Sequence, residues 1–150
     1  MPHSPRWYND RLWLLESGQG NLAWVDAEAR QVHTIAEMLG FTRGLDFYGP
    51  LAFIGLSQVR ETATFSGIPL TERLEERICG VWVVNLQSGQ IIAFLRFEGA
   101  VQEIFAVQVL PNTRFPELLE WGDKLVGHSY VLPDEALAEV KPHPQTSTAP

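Results

Sequence analysis

The side chains of this sequence best suited to chemistry are a few basic residues near the starts of short apolar segments. They are His3, Arg6, Arg43 and Arg60, with Glu61 directly after the last of them. Guanidinium groups donate paired hydrogen bonds to carboxylates and phosphates, so a cluster of these side chains suits a small anionic ligand. The alternative is a set of ordinary ion pairs without a ligand, in which Arg6 bridges to Asp46.

Acidic residues offer a second chemistry. A metal-dependent hydrolase or lactonase needs carboxylates that converge on one hard cation, and Glu16, Asp46 and Glu103 could supply them. The neighbouring arginines would repel such a cation, and the four histidines lack the spacing of a zinc site. We therefore predict no catalytic residue, no metal ligand and no cofactor.

The segments that must position these residues resemble one another. Residues 11–17 align with 51–57, and residues 21–26 align with 80–85. Similarity at a fixed spacing between short strand-like units is typical of the blades of a β-propeller. The connections are too short to hold a crossover helix, so neighbouring strands should be antiparallel.

Apolar runs between turn residues predict two units of four strands and the beginning of a third. The first unit comprises Ser4–Trp7, Arg11–Glu16, Asn21–Val25 and Gln31–Glu37. The second comprises Gly44–Phe47, Leu51–Leu56, Gly80–Val84 and Gln90–Phe97, and the third opens with Ala106–Val109. Each first strand begins with a small residue (Ser4, Gly44 and Ala106), as expected of strands crowded around an axis.

The predicted fold class is therefore all-β: a partial β-propeller of about two four-stranded antiparallel blades plus part of a third. An insert at 58–78 interrupts the second unit and ends in a short helix. The propeller domain should span residues 1–132. Residues 133–150, rich in Pro, Ala, Ser and Thr, should form a mostly disordered tail.

A propeller needs 4–8 blades, and this chain supplies only part of that number. The flanks of the arc would expose apolar surface and unpaired strand edges. We therefore expect either self-association or N-terminal blades that are missing from this chain. A small open sheet packed on itself is the remaining alternative.

The composition limits the partners. With 11 basic and 18 acidic residues, the formal charge of −7 disfavours nucleic acid and membrane surfaces. The lone cysteine, Cys79, cannot form an internal disulfide, and the N-terminus lacks the apolar core of a secretion signal, so we expect a cytoplasmic protein. Cys79 should be a small buried side chain at the start of a strand. Trp24 and Trp82 are expected at equivalent positions, packed between blades rather than free to stack on sugars.

Several segments resemble an uncharacterised bacterial family of conserved hypothetical proteins with a domain of unknown function. The resembling segments include residues 3–7, 41–45, 53–57, 65–70, 79–84 and 103–111. The resemblance implies a propeller of which this chain is the C-terminal part, and it implies no activity. Our first hypothesis is a non-catalytic binding or assembly module whose axial mouth holds a small anion or a partner's peptide. The alternative is the metal-dependent hydrolase or lactonase.

Overall fold

The regular elements of this protein are all β-strands in the part of the chain that the structure, a computed structural model, describes: residues 2–58, 78–114, 116–120, 122, 124 and 135. They are β1 (Pro2–Tyr8), β2 (Arg11–Glu16), β3 (Asn21–Asp26), β4 (Gln31–Glu37), β5 (Phe41–Tyr48), β6 (Leu51–Ser57), β7 (Cys79–Asn85) and β8 (Ile91–Phe97). The chain divides into two units, Met1–Asn112 and Thr113–Pro150, and all eight strands belong to the first.

Among the described residues, the strands form two four-stranded sheets in sequence order. Sheet A has the order β1-β2-β3-β4 and sheet B the order β5-β6-β7-β8, and every neighbouring pair is antiparallel. The predicted all-β class is confirmed, and the strands predicted for the first two units agree with the observed ones to within three residues at each end.

Tight turns set these pairings. Asn9 and Asp10, between β1 and β2, both have positive φ, at 48° and 57°, as a two-residue type I′ hairpin requires. Gly49, at φ 55°, begins the corresponding turn between β5 and β6, and Pro50 follows it with φ held negative by its ring. The two hairpins therefore have the same length but reach it with different turn chemistry.

The two sheets share one register. Tyr8 pairs with Arg11 in sheet A, and Tyr48 pairs with Leu51 in sheet B, 40 residues further along on both strands. Each first strand also carries an irregularity near its start, between His3 and Arg6 in β1 and, one residue earlier at the offset of 40, between Thr42 and Leu45 in β5. A bulge strengthens the local twist, so both sheets bend near the start of the first strand.

The core lies between the sheets, and the two surfaces that meet are different. The packed face of sheet A contributes Trp13, Leu15 and Leu22 to the core. The packed face of sheet B contributes Ala52, Ile54, Trp82 and Val84. Ile54 corresponds to Leu14 at the offset of 40, and Leu14 lies on the opposite, open face of sheet A. The sheets therefore pack head to tail, with unlike faces in contact.

Each sheet consequently keeps one apolar face open. The open face of sheet A carries Trp7, Leu12, Leu14 and Val25, with Trp7 71% and Leu12 37% exposed. The open face of sheet B carries Phe53, Val81, Val83 and Leu95, with Leu95 57% exposed.

The prediction that Trp24 and Trp82 are equivalent is wrong. Phe53, the counterpart of Trp13, pairs with Val83, so Val83 is the counterpart of Trp24, and Trp82 lies one residue earlier. A shift of one residue reverses the side of the sheet to which a side chain points. Trp24 nevertheless packs against the core from sheet A, and Trp82 is buried in it from sheet B, so both indoles lie between the sheets.

The third predicted unit differs from the first two. Residues 101–110 form no strand, although Ala106–Val109 was predicted as one. They lie along β5 and the end of β6, where Gln58 N donates to Gln102 O at 2.8 Å. Their bonds go largely to side chains of sheet B instead of to a backbone ladder, which explains the missing strand. Pro111 and Asn112 then form a turn, with Asn112 at φ 60°.

The first strands of the two sheets, β1 and β5, approach each other closely at the positions where small residues were predicted. Ser4 Oγ accepts a hydrogen bond from Gly44 N at 2.9 Å. A Cβ on Gly44 would lie 2.7 Å from Val107 N and 2.9 Å from Ala106 Cα. Ser4 and Gly44 both have positive φ, at 51° and 82°. The first strands and residues 106–107 therefore meet with no room for larger side chains at these positions.

The predicted insert at 58–78 and its helix lie outside the described residues, apart from Gln58 and Ile78. The predicted tail at 133–150 lies outside them as well, apart from Glu135. In the unit Thr113–Pro150, the side chain of Leu118 is almost fully exposed. The domain limit at residue 132 stays a prediction.

Replacing Gly44 by alanine should destabilise the protein by about 2–4 kcal/mol, because the new methyl group meets backbone atoms of residues 106–107 at a positive φ. Gly49→Ala is the matched control, since Gly49 also has positive φ but a Cβ there meets nothing within 4 Å. It should cost only about 1 kcal/mol. Urea unfolding measures both values. Equal losses would contradict the close approach at Gly44.

Candidate functional site

The candidate site lies where the three inner segments begin: β1, β5 and residues 102–109. Serine side chains hold these segments together. Ser17 Oγ donates to Thr42 O at 2.5 Å, and Ser57 Oγ donates to Ile104 O at 3.2 Å while it accepts from Ile104 N at 2.8 Å. Ser57 follows Ser17 by 40 residues and Ile104 follows Thr42 by 62, so the two contacts correspond. Each inner segment is therefore attached to the unit before it in the same way.

Arg43 is held against an aromatic ring. Its guanidinium carbon lies 4.1 Å from the centroid of the Phe105 ring. A guanidinium that stacks through its face keeps its N–H edge directed away from the ring, where an anion can accept from it. Phe105 is 64% exposed and Arg43 is partly exposed, so this arginine can be reached by solvent.

His3 lies on the neighbouring strand at the position that corresponds to Arg43. The hydrogen bond from Gly44 N to Ser4 Oγ joins the residues directly after them, so the two strands meet there. The His3 ring meets the edge of Phe41, with 5.9 Å between ring centroids. The starts of β1 and β5 thus lie close together, and the His3 ring itself contacts Phe41.

Arg6 and Asp46 do not form the ion pair proposed as the alternative. Arg6 is exposed, and its Nη1 donates to its own neighbour, Pro5 O, at 3.4 Å. Asp46 Oδ2 instead accepts from Val109 N at 2.6 Å and from Gln108 Nε2 at 2.8 Å. The carboxylate therefore ties β5 to the following segment through two donors of that segment.

The remaining predicted site residues, Arg60 and Glu61, lie outside the described residues. Their relation to His3, Arg6 and Arg43 stays a prediction. Gln58 and Ile78, on either side of the undescribed stretch, both lie at the end of the sheets where β6 ends and β7 begins.

The carboxylates considered as metal ligands have separate surroundings. Asp46 is occupied as described above, and Glu16 Oε2 accepts from Asn21 Nδ2 at 3.3 Å. Across the ranges that the structure describes, no three His, Cys, Asp or Glu side chains come together in a group able to hold a metal ion. The hydrolase alternative stays a prediction.

Cys79 is buried at the start of β7, as predicted. Burial raises the pKa of its thiol above the ordinary value of 9.0, and the Glu103 carboxylate raises it further. A raised pKa keeps the sulfur protonated near neutral pH and makes it a poor nucleophile. Cys79 is therefore a packing residue.

Sequence reasoning missed two features of the site. Phe105 stands directly before the small residue Ala106, as His3 and Arg43 stand before Ser4 and Gly44, and it supports the Arg43 guanidinium. Asp46 was assigned to an ion pair instead of the backbone of Val109. The offset of 62 residues between Asp46 and Gln108 was the available signal, because it predicts neighbouring inner segments.

The fold and site define an all-β protein with two head-to-tail antiparallel sheets. A sequence profile described as a domain of unknown function (DUF4915) matches residues 1–119, so the chain belongs to the DUF4915 family. No curated protein matches the chain significantly. Over the described residues, no helix is long and apolar enough to span a bilayer.

The raised pKa of Cys79 predicts a pH dependence of stability. The unfolded chain loses the thiol proton first as the pH rises past 9.0, so the free energy of unfolding should fall above that pH. Urea unfolding of the wild type and of Cys79→Ala at about pH 7.5 and about pH 10 measures this. The wild type should lose more stability than the variant between the two values. An equal loss in both proteins would show that Cys79 has no raised pKa.

Proposed function

We propose that this protein is a non-catalytic binding and assembly module of the β-propeller type. Its sheets act as two blades, and residues 102–112 act as the innermost strand and first turn of a third. The observation that carries this proposal is the recurrence of the same contacts from one unit to the next, Ser17 to Thr42 and then Ser57 to Ile104.

The head-to-tail packing supports the propeller over a closed sandwich. In a sandwich related by two-fold symmetry, like faces meet and both are covered. Here unlike faces meet, so the contact can be continued in both directions, as it is around a propeller ring. The open face of sheet A corresponds by the repeat to the packed face of sheet B. It therefore suits packing against another sheet, as sheet B packs against sheet A.

In our proposal, a second copy of the chain packs against the open apolar faces of the two sheets. Residues 102–109 already fill the innermost position beside sheet B, where Ile104 and Val107 lie against Gly55. A partner would therefore contact the outer part of that face, around Val81, Val83 and Leu95. Burial of side chains of this size stabilises an association by about 1.5–3 kcal/mol each.

The ligand in this proposal is a small anion or a partner's acidic peptide at the start of the inner strands. Arg43, supported by Phe105, is the main recognition group, and His3 is its neighbour on β1. Arg6, Arg60 and Glu61 complete the proposed set. The protein's excess of acidic side chains makes such a local basic group distinctive, because the rest of the surface repels anions.

The assembly prediction is an oligomer in solution that depends on the open face of sheet A. Leu12→Lys places a charge on that face and should shift the molar mass measured by light scattering towards that of the monomer. Leu39→Lys is the matched control, since Leu39 is 51% exposed and lies between β4 and β5, outside the strands. It should leave the mass unchanged. A wild-type protein that is monomeric at high concentration would contradict self-association.

The ligand prediction is a stabilisation by phosphate that requires Arg43. At a concentration about ten times the dissociation constant, phosphate should raise the melting temperature by roughly 4–8 °C relative to chloride of equal ionic strength. Arg43→Ala should abolish the shift, because it removes the guanidinium that Phe105 positions. Arg30→Ala is the control, since Arg30 lies in the turn between β3 and β4. An unchanged shift in Arg43→Ala would remove Arg43 from the site.

A further inference from the structure

A second candidate site lies at the opposite end of the strands from His3 and Arg43. The turns between β1 and β2, β5 and β6, and β7 and β8 meet there and enclose a groove of about 660 Å³. This volume falls within the range of small-molecule sites, roughly 300–1,000 Å³. The groove is independent of the anion site proposed above.

The walls of the groove are cross-linked by hydrogen bonds. Tyr8 Oη donates to Gly49 O at 2.8 Å and Leu86 N donates to Pro50 O at 2.9 Å, so the three turns are bound to one another. Trp13 Nε1 donates to Tyr8 O at 3.0 Å, which fixes the indole that contributes to the lining. Tyr8 also stacks on Phe47, with 4.5 Å between parallel rings. A groove whose walls are tied in this way is largely formed before any ligand arrives.

A positioned cation lies in the lining. Arg11 is exposed at the start of β2, and its guanidinium carbon lies 4.4 Å from the centroid of the Trp24 ring. Trp24 itself stacks on His33, with 4.4 Å between ring centroids, so the ring under the guanidinium is held in place. A guanidinium presents its N–H donors in a planar fork, which suits an acceptor that is planar and takes two bonds.

The rest of the lining combines carboxamides with apolar surface. Asn9 and Gln87 provide amide donors on two of the turns. Pro50 and Leu86 provide the apolar part, and Leu86 packs against the core, as does the buried Trp13 behind them. A fixed guanidinium with two carboxamides beside an indole fits a carboxylate that carries an aromatic or other apolar body.

We propose that this groove binds a small aromatic carboxylate. Arg11 pairs with the carboxylate, Asn9 and Gln87 add hydrogen bonds, and the apolar body lies against Pro50 and Leu86. Asp10 lies in the same turn as Asn9 but is not part of the lining, so it does not place a carboxylate of the protein inside the groove.

The test uses phenylacetate as the probe, with phenylacetamide as its uncharged counterpart. Isothermal titration of the full chain should give binding of phenylacetate and at least about tenfold weaker binding of phenylacetamide, because the amide cannot accept the charged pair from Arg11. Arg11→Gln should weaken phenylacetate at least about tenfold. Arg30→Gln, in the neighbouring turn of the same sheet, should leave binding unchanged.

A second measurement locates the probe. In an amide and indole proton–nitrogen correlation spectrum, phenylacetate should shift the Trp13 Nε1–H signal, assigned with Trp13→Phe, and leave that of buried Trp82 in place. Equal binding of the acid and the amide, binding lost in Arg30→Gln but kept in Arg11→Gln, or no binding of phenylacetate would each overturn the groove proposal. Because Arg43→Ala tests the other site, a failure of one proposal is distinguishable from a failure of the other.

Discussion

The close approach of the inner segments is the constraint on which the rest of this structure depends. Ser4 Oγ meets Gly44 N, and Gly44 in turn lies against the backbone of Ala106 and Val107. Neither Ser4 nor Gly44 has an ordinary extended conformation, since both have positive φ within the irregular part of the first strand. These close contacts leave no room for larger side chains where the segments meet, and the larger apolar side chains lie in the core between the two sheets.

The same constraint explains why the polar side chains of the inner segments are structural. Ser57 and Asp46 bond to the backbone of Ile104 and Val109, which belong to no strand, and Ser17 bonds to Thr42 O in β5. A buried backbone group without a partner costs free energy, so Ser57 and Asp46 replace strand contacts at those two residues. Arg43 and Arg11 differ from them, because the guanidinium of each lies over an aromatic ring.

Much of the fold was predictable from the sequence because its signals are local. Alternation and turn residues located the eight strands, and the spacing of 40 residues between 11–17 and 51–57 indicated that β2 and β6 correspond. The site was less predictable. The partner of Asp46 and the ring under Arg43 lie more than 60 residues away in the chain, and the repeat offset indicates which segments are neighbours but not which side chains meet. Trp24 and Trp82 show the related difficulty, since a shift of one residue leaves residue types similar but reverses the face.

The last strand of sheet B has a consequence for how the chain behaves by itself. β8 borders its sheet and reads Ile-Ile-Ala-Phe-Leu-Arg-Phe, whereas β4, the border of sheet A, contains four polar residues among its seven. A border strand with bare backbone groups and apolar side chains on both surfaces is a template for strand addition by other molecules, which leads to aggregation. Arg96 is the only charged side chain in β8. The guanidinium of Arg96 is thus the only charge within β8 that opposes the addition of further strands along that border.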